Sequence, residues 1–92
     1  MPDTIRDNTD LHRFELDVNG TTAIVTYRLT GDTITLLHTE VPKALEGQGI
    51  GSRLARGVLD IVRARHLKAD VRCSFLKAWI GRHPDYADIM KP

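Results

Sequence analysis

A glycine-rich run, Gly47-Gln48-Gly49-Ile50-Gly51-Ser52, has the residue types that point most directly to a chemical task. It stands between a stretch with strand character and a stretch with helical periodicity. Its backbone amides are therefore expected at a helix N-terminus, which favours an anion. Glycine lets a phosphate approach the main chain and permits the positive φ angles that such turns use. The run predicts a phosphate-binding turn.

Two familiar nucleotide-binding motifs do not fit this run. No Lys-Ser or Lys-Thr pair follows it at the spacing of a Walker loop, and Ser52 stands where the dinucleotide fingerprint has its third glycine. Glycine-rich turns between a strand and a helix also arise for steric reasons alone. The run by itself thus leaves the ligand open.

Three other side chains carry reactive groups: His38, Glu40 and Cys73. Histidine titrates in the range that suits proton removal from an ammonium group, and Glu40, two residues along on the same strand face, is a second base. Cys73 is the only cysteine, which excludes an internal disulfide and argues against a structural zinc site. It is predicted to be a free thiol, either a nucleophile or a small buried residue.

The N-terminal half of the chain predicts three antiparallel strands that would position these side chains. Residues 12–18 alternate apolar and polar side chains and stop at Asn19-Gly20, a strong signal for a hairpin turn. Residues 21–30 and 33–41 are rich in β-branched and aromatic side chains, and Pro42 ends the third strand.

The second half predicts a helix, a strand and a second helix. Apolar residues recur at helical spacing from Gly51 to about Arg65, a β-compatible stretch follows at 69–73, and 75–82 suggests the second helix. A strand, a helix and a strand in succession normally form a parallel pair through a right-handed crossover. The predicted fold class is α/β (α+β), a mixed sheet of about four strands, three antiparallel and the fourth parallel, with two helices. Residues 85–92 are expected to be a short tail.

Length and composition are those of a single globular domain. The 92 residues are 41% hydrophobic and 27% charged, and they contain no apolar stretch long enough to span a membrane. We predict a flexible segment over residues 1–10 and one domain over 11–92. The start of the chain lacks the basic and apolar regions of a secretory signal, so a cytoplasmic location is expected.

The charge distribution along the chain indicates which classes of ligand the protein could bind. Residues 47–92 carry nine basic and four acidic side chains, against four basic and eight acidic in residues 1–46. A basic half suits an anionic ligand, although solvated helix faces produce the same count. Nucleic acid is not expected as a partner, because the basic residues are dispersed and no aromatic-rich strand motif accompanies them. The sequence leaves a homodimer open.

The segment from Glu46 to Gly51, in this order of elements, resembles the acetyl-CoA pyrophosphate loop of the GNAT superfamily of N-acetyltransferases. That loop reads Arg or Gln, two residues, Gly, one residue, then Gly or Ala. Gly49 and Gly51 match, whereas Glu46 replaces the Arg or Gln, and Gln48 can supply a donor instead. More closely, the chain is similar to the small stand-alone YjdJ-type acetyltransferase-like family. The residues that carry this likeness, over about Asp17 to Ile89, are His38-Thr39-Glu40-Val41-Pro42, the glycine run, Cys73 and His83-Pro84-Asp85-Tyr86.

The resemblance implies a truncated GNAT fold that binds acetyl-CoA as acyl donor and transfers its acetyl group to an amine acceptor that the sequence does not identify. It implies a splayed pair of strands whose backbone near residues 37–41 holds the pantetheine arm, and a β-bulge near Thr39 would serve that splay. The implied cofactor-binding residues are Thr39, Val41, Glu46, Gly47, Gln48, Gly49, Ile50, Gly51, Ser52 and Lys77. No metal ligands are implied.

The resemblance also implies candidate catalytic residues. His38 or Glu40 would act as the base, Cys73 is an alternative acyl-accepting nucleophile, and Tyr86 would protonate the departing CoA thiolate. Each has a structural interpretation as well: a half-exposed strand residue, a buried thiol, and a tyrosine that fastens the chain end. Further helices and strands wall the acceptor site in full-length members and are not expected here. A non-catalytic CoA-binding or protein-interaction module is therefore the alternative function.

Overall fold

A computed structural model describes residues 5–91 and contains one five-stranded sheet. Its strands lie side by side in chain order: β1 (Ile5–Asn8), β2 (Arg13–Val18), β3 (Thr21–Thr30), β4 (Thr33–Glu40) and β5 (Lys68–Val71). The first four pair antiparallel, and β5 joins β4 in parallel. The mixed sheet that the sequence predicts is confirmed, with five strands instead of about four.

The additional strand, β1, corrects the prediction of a flexible segment over residues 1–10. Arg6 Nη2 pairs with Glu15 Oε1 at 2.8 Å, and Ile5 packs against the hydrophobic core. These partners lie on β2 and in the core, outside the segment itself. The residue pattern within the segment therefore does not predict the strand. Residues 1–4 lie outside the described residues.

Two α-helices and three short 3₁₀ helices complete the described chain. They are α1 (Ile50–Ala64), α2 (Ser74–Arg82) and the 3₁₀ helices Thr9–Leu11, Lys43–Leu45 and Pro84–Ile89. The apolar residues of α1 recur every three or four positions, so one face of the helix is buried, and α2 adds Leu76, Trp79 and Ile80 to the same core. The connection from β4 through α1 to β5 is the strand, helix and strand unit that the sequence predicts.

The two faces of the sheet differ in character. Phe14, Val25 and Leu36 point to the face that packs against the helices, and all three are fully buried. Because side chains alternate along a strand, the neighbouring positions point the other way. We call this second face the open face, because within residues 5–91 its central side chains are polar or only half-buried. It presents Arg13, Thr22, Ile24, Thr26, His38 and Glu40.

The segment after α2 corrects the prediction of a short tail over residues 85–92 as far as residue 91, since Pro92 lies outside the described residues. Pro84–Ile89 form a 3₁₀ helix whose Tyr86 is buried, and the Lys91 amide donates to the carbonyl of Ala69 at 2.7 Å. The fixed φ of proline suits the first position of a helix, and Pro84 begins this turn directly after His83, the C-cap of α2. The chain is thereby attached alongside β5.

Candidate active site

The glycine run forms the turn that leads into α1. Gly47 and Gly49 have φ angles of +80° and +70°, and a Cβ added at either position would meet nothing within 4 Å. The requirement for glycine there is therefore conformational rather than steric, since residues with a Cβ seldom adopt these angles. Gly49 is the N-cap of α1, so the first amides of the helix follow directly after it.

The turn forms one wall of a cleft of about 400 Å³, and α2 with its C-terminal end forms the other. The lining residues are Val41, Glu46, Gly47, Gly49, Ile50, Gly51, Ser52, Phe75, Trp79, Arg82 and His83. All of those from the β4 end and the turn are cofactor-binding residues that the sequence names. The sequence does not name the other four, Phe75, Trp79, Arg82 and His83, as cofactor-binding residues. Phe75 and Trp79 are four residues apart, a spacing that is also typical of the buried face of a helix.

Three of the cofactor-binding residues named from the sequence do not line this cleft. Gln48 is exposed, and its side-chain nitrogen donates to the carbonyl of Ala44 at 3.3 Å. Lys77 is exposed on α2. Thr39 lines a second cavity instead. The turn and α2 therefore form the cleft with a smaller share of polar side chains than the sequence suggests.

Strands β4 and β5 diverge beside this cleft. Their pairing ends at Leu36 and Val71, although β4 continues to Glu40. The carbonyl of Leu36 accepts from both the Arg72 amide, at 2.9 Å, and the Cys73 amide, at 3.1 Å. This shared acceptor turns the chain away from β4. The last residues of β4 thus run without a β5 partner, which gives the separated strand pair that the resemblance implies.

A β-bulge at Leu37 accompanies the divergence. Thr26 pairs with His38 and Tyr27 pairs with Leu36, so Leu37 is the additional residue in β4. The extra residue leaves two consecutive side chains of β4 exposed, those of Leu37 and His38. The bulge lies close to the position that the sequence suggests.

Cys73 lies across the gap from Thr39. Its sulfur is 3.2 Å from the Thr39 hydroxyl oxygen, and the cysteine is a free thiol that is 6% exposed. Thr39 pairs with Val25 and shares its face of the sheet, whereas His38 points to the open face. The structure therefore does not bring His38 to the thiol. The hydrogen-bond partner that it gives Cys73 is a neutral hydroxyl.

A second cavity, of about 540 Å³, lies beside Glu40. It is lined by Arg13, Thr22, Ile24, Thr39, Glu40, Val41 and Pro42. The Nε2 atom of His38 is 3.9 Å from Oε1 of Glu40, so the two candidate bases are neighbours. Val41 lines both the cleft and this cavity. The two spaces therefore share a lining residue at the end of β4, next to the gap between the strands.

Ion pairs determine which charges remain available in the second cavity. Arg13 Nε lies 2.6 Å from one oxygen of Glu15, and Arg6 lies 2.8 Å from the other. The hydrogen bond from Arg13, followed by that from Asn8, holds the pKa of Glu15 below its ordinary value. Arg13 is thus neutralised by Glu15, and Glu40 remains as the acid that lines the cavity.

The Tyr86 ring packs against Trp79, with 5.3 Å between the ring centroids, and is not part of the lining of either space. Tyr86 is 4% exposed. Its hydroxyl donates to Oδ1 of Asp60 at 2.7 Å and accepts from Nη1 of Arg56 at 3.3 Å. Burial, and then the hydrogen bond to Asp60, raises the pKa of Tyr86. This placement favours fastening of the chain end over protonation of a thiolate.

Two features are absent from residues 5–91: a cluster of metal ligands and a helix that could span a membrane. Within that range no three side chains among His, Cys, Asp and Glu are grouped so that they could hold a metal ion. Neither helix of the same range is long and apolar enough to cross a membrane.

Known proteins share both the sequence and the fold of this chain. A family model described as GCN5-related N-acetyl-transferase matches residues 13–89. Protein NATD1 of Homo sapiens is 34% identical over 85 residues, which cover 87% of this chain and 75% of the relative. Protein NATD1 of Mus musculus is 31% identical over 96 residues, which cover 99% of this chain and 87% of the relative.

A solved structure agrees with these sequence matches. The NMR solution structure of a GCN5-like protein from Staphylococcus aureus superimposes with a TM-score of 0.72 and 31% identity, covering 96% of this chain and 87% of that one. The matched residues include the glycine turn, the separated strands and the residues that line both spaces, Val41 among them. This chain belongs to the GCN5-related N-acetyltransferase family.

Proposed function

We propose that this chain binds acetyl-CoA in the cleft between the glycine turn and α2, and transfers the acetyl group to an amine that approaches from the open face. The observation that carries the proposal is the position of Val41, which lines both the cleft and the second cavity. A donor in one space and an acceptor in the other would meet at the gap between β4 and β5. We refer to the two spaces as the cofactor cleft and the acceptor cavity.

The cofactor would be held mainly by main-chain groups. Its diphosphate would accept hydrogen bonds from the amides at the start of α1, where the helix dipole adds roughly 0.3–1 kcal/mol. The main chain of residues 37–40, which has no β5 partner, would hold the pantetheine arm. Glu46 puts an acid in the cleft where the family pattern has Arg or Gln, so the attraction rests on amides rather than on that side chain.

The transfer would be a direct attack of the amine on the thioester. The acceptor arrives as an ammonium ion attracted by Glu40 and loses one proton to His38 or Glu40, which lie side by side. Its nitrogen then bonds to the carbonyl carbon and the carbon–sulfur bond breaks. The departing thiolate takes up the second proton that the nitrogen releases. A backbone amide near Val41 would donate to the carbonyl oxygen as negative charge develops there.

A covalent route through Cys73 is the alternative. In that route the thiol takes the acetyl group first and passes it to the amine in a second step. The contacts of Cys73 support it less well, because the thiol is buried and its partner is the Thr39 hydroxyl rather than a base or a cation.

Calorimetric titration with acetyl-CoA tests the cofactor site. Wild type is expected to bind, and Gly49→Asp to bind at least about tenfold more weakly, because a carboxylate about 4 Å from a phosphate is repelled by roughly 1 to 4 kcal/mol. Gly49→Asn is the matched control, since asparagine has nearly the same shape, tolerates a φ of +70° and carries no charge. Absence of binding by the wild type would overturn the proposal.

Transfer needs its own assay, because binding does not establish catalysis. Release of the CoA thiol would be followed with a panel of amines that contains free small amines, lysine-bearing peptides and peptide N-termini. Transfer to at least one class is expected. Tight binding with no transfer to any amine would favour the non-catalytic CoA-binding or interaction module.

A further inference from the structure

We infer that His83 is a proton-sensitive contact for the cofactor's diphosphate, and that Trp79 orients the Ser52 hydroxyl toward the same group. The inference rests on the proposed function, since it takes acetyl-CoA as the occupant of the cofactor cleft. It goes beyond that function because it gives the α2 wall of the cleft a role and makes the affinity for acetyl-CoA depend on pH.

His83 lies on the face of Trp79, and both line the cofactor cleft. The two rings are parallel to within 10° and their centroids are 3.8 Å apart. The Nδ1 atom of His83 is 2.8 Å from the backbone carbonyl oxygen of Trp79. A carbonyl only accepts, so Nδ1 carries a hydrogen and Nε2 is the atom that gains or loses a proton. The imidazole is thereby held in place while its charge changes.

The indole of Trp79 acts on the opposite wall. Its Nε1 donates to the Ser52 hydroxyl oxygen at 2.8 Å. An indole nitrogen is a donor only, so Ser52 must accept in this hydrogen bond and its own hydrogen is directed elsewhere. Ser52 lies in the first turn of α1 and lines the cleft, which makes that hydrogen available to an oxyanion beside the helix N-terminus. Trp79 is therefore a positioning residue.

The elements around His83 carry several charged and titratable groups. They are Arg56 and Asp60 on α1, Arg82 on α2, Glu46 in the glycine turn, and Asp85 and Tyr86 in the 3₁₀ helix after α2. Arg82 lines the cleft with His83, and the Arg56 guanidinium carbon lies 5.4 Å from the centroid of the Trp79 ring. Both are cations at the α2 wall of the cleft.

A bound diphosphate would couple cofactor binding to the charge of His83. Two phosphate charges in the cleft favour the imidazolium form of His83, so protonation and cofactor binding promote each other by the same factor. The affinity for the cofactor is therefore expected to rise as the pH falls from 8 to 6, the range in which a histidine changes charge.

The coupling between the two rings can be tested without any ligand. Trp79 is the only tryptophan in the chain, so its fluorescence reports on the surroundings of this one ring, which include the stacked imidazole. An imidazolium in contact with an indole quenches its emission, so the wild-type signal should fall between pH 8 and pH 5. His83→Phe keeps a stacked ring but does not titrate, and His83→Gln removes the ring. An identical pH response in the wild type and in either folded variant would overturn the role of His83.

The role in binding needs a ligand that does not titrate in the same range. Acetyl-dephospho-CoA retains the diphosphate and lacks the terminal phosphate monoester, whose second pKa is about 6. In calorimetry the wild type should bind it about threefold to tenfold more tightly at pH 6 than at pH 8, since one charge-assisted hydrogen bond is gained. His83→Phe and His83→Gln should show no such difference.

The outcomes distinguish a failure of the proposed function from a failure of the role inferred for His83. No wild-type binding at either pH would overturn the proposed function and this inference with it. Binding whose pH dependence is the same in wild type and His83 variants would overturn the inference and leave the proposed function intact.

A double-mutant cycle tests the second half of the inference, the role of Trp79. Trp79→Phe and Ser52→Ala should each weaken binding about threefold to tenfold, the effect of one hydrogen bond, and the double variant should be no weaker than either single one. Losses that multiply in the double variant would show that Trp79 does not act through Ser52.

Discussion

The hydroxyl oxygen of Thr39 lies 3.2 Å from the sulfur of Cys73, across the gap that opens where β4 and β5 stop pairing. Thr39 also lines the acceptor cavity. The pair therefore places the buried thiol next to a residue of that cavity. This contact favours direct transfer over the covalent route, because a neutral hydroxyl beside a thiol gives no base to generate the nucleophilic thiolate.

Cys73→Ala should therefore retain acetyl transfer within about tenfold of the wild type, the loss expected from a small packing change rather than from a missing nucleophile. Cys73→Ser is the matched control that keeps a polar group beside Thr39. The rate of CoA release checks this, together with the intact mass of the protein after incubation with acetyl-CoA. A wild-type mass that gains one acetyl group, absent in Cys73→Ala, would establish the covalent route instead.

The base is expected to be His38 or Glu40, whose side chains are 65% and 61% exposed and 3.9 Å apart. His38→Gln and Glu40→Gln should leave acetyl-CoA affinity unchanged, because neither residue lines the cofactor cleft. The variant that lacks the base should lose roughly 10²- to 10⁴-fold in transfer rate, together with the acidic limb of its pH–rate profile. His66→Asn, at the end of α1, is the control histidine. Full activity in both strand variants would remove this base assignment.

Much of the site could be predicted because its signals are local. The positive φ angles of Gly47 and Gly49 require glycine wherever the turn lies, so the residue types identify it directly. Strand and helix periods likewise follow from neighbours along the chain.

The remainder depends on contacts between distant residues. Strand β1 exists because Arg6 meets Glu15 and Ile5 meets the core, and neither contact leaves a pattern within the segment itself. The role of α2 in the cleft is hidden for a similar reason, since Trp79 has the signature of an ordinary core residue. The position of Lys77 depends on the rotation of α2, which places it outside the cleft and exposed.

Tyr86→Phe should lower stability without lowering the rate of transfer. Its hydroxyl donates to Asp60 and lies outside both spaces, so its removal is expected to cost roughly 0.5 to 1.5 kcal/mol of unfolding free energy and to leave the pH–rate profile unchanged. Urea unfolding and steady-state assays on the same preparation measure both effects. A loss of the basic limb of the profile would restore Tyr86 as the proton donor to the thiolate.

Gly57→Ala should destabilise the protein by displacing β1. A Cβ at Gly57 would lie 2.6 Å from Cγ1 of Ile5, an overlap that typically costs about 1 to 3 kcal/mol and exceeds the helix-propensity gain of about 1 kcal/mol. Gly81→Ala, with nothing within 4 Å of its Cβ, is the matched control and should stabilise. Combining Gly57→Ala with Ile5→Ala should restore part of the loss. Strictly additive unfolding free energies would show that the two residues are not in contact.

Alkaline pH should weaken the fold through Tyr27, which is 6% exposed. The Tyr27 hydroxyl donates to Oδ1 of Asp7 at 2.5 Å, and Oδ2 of the same carboxylate accepts from Arg65 at 2.7 Å. Burial, and then the hydrogen bond to Asp7, raises the pKa of Tyr27 from 10.0 to about 12. The folded value is the higher one, so the contribution of neutral Tyr27 is complete below pH 10 and is lost as the pH rises toward 12.

Tyr86→Phe is the background in which to measure this loss, because it leaves Tyr27 as the only tyrosine. There the tyrosinate absorbance of the folded protein should appear about two pH units above that of the chain in urea. Adding Tyr27→Phe should lower stability at pH 7 by about 1 kcal/mol and flatten its decline above pH 9. If the unfolding free energies of Tyr86→Phe and of the double variant decline in parallel above pH 9, ionisation of Tyr27 does not weaken the fold.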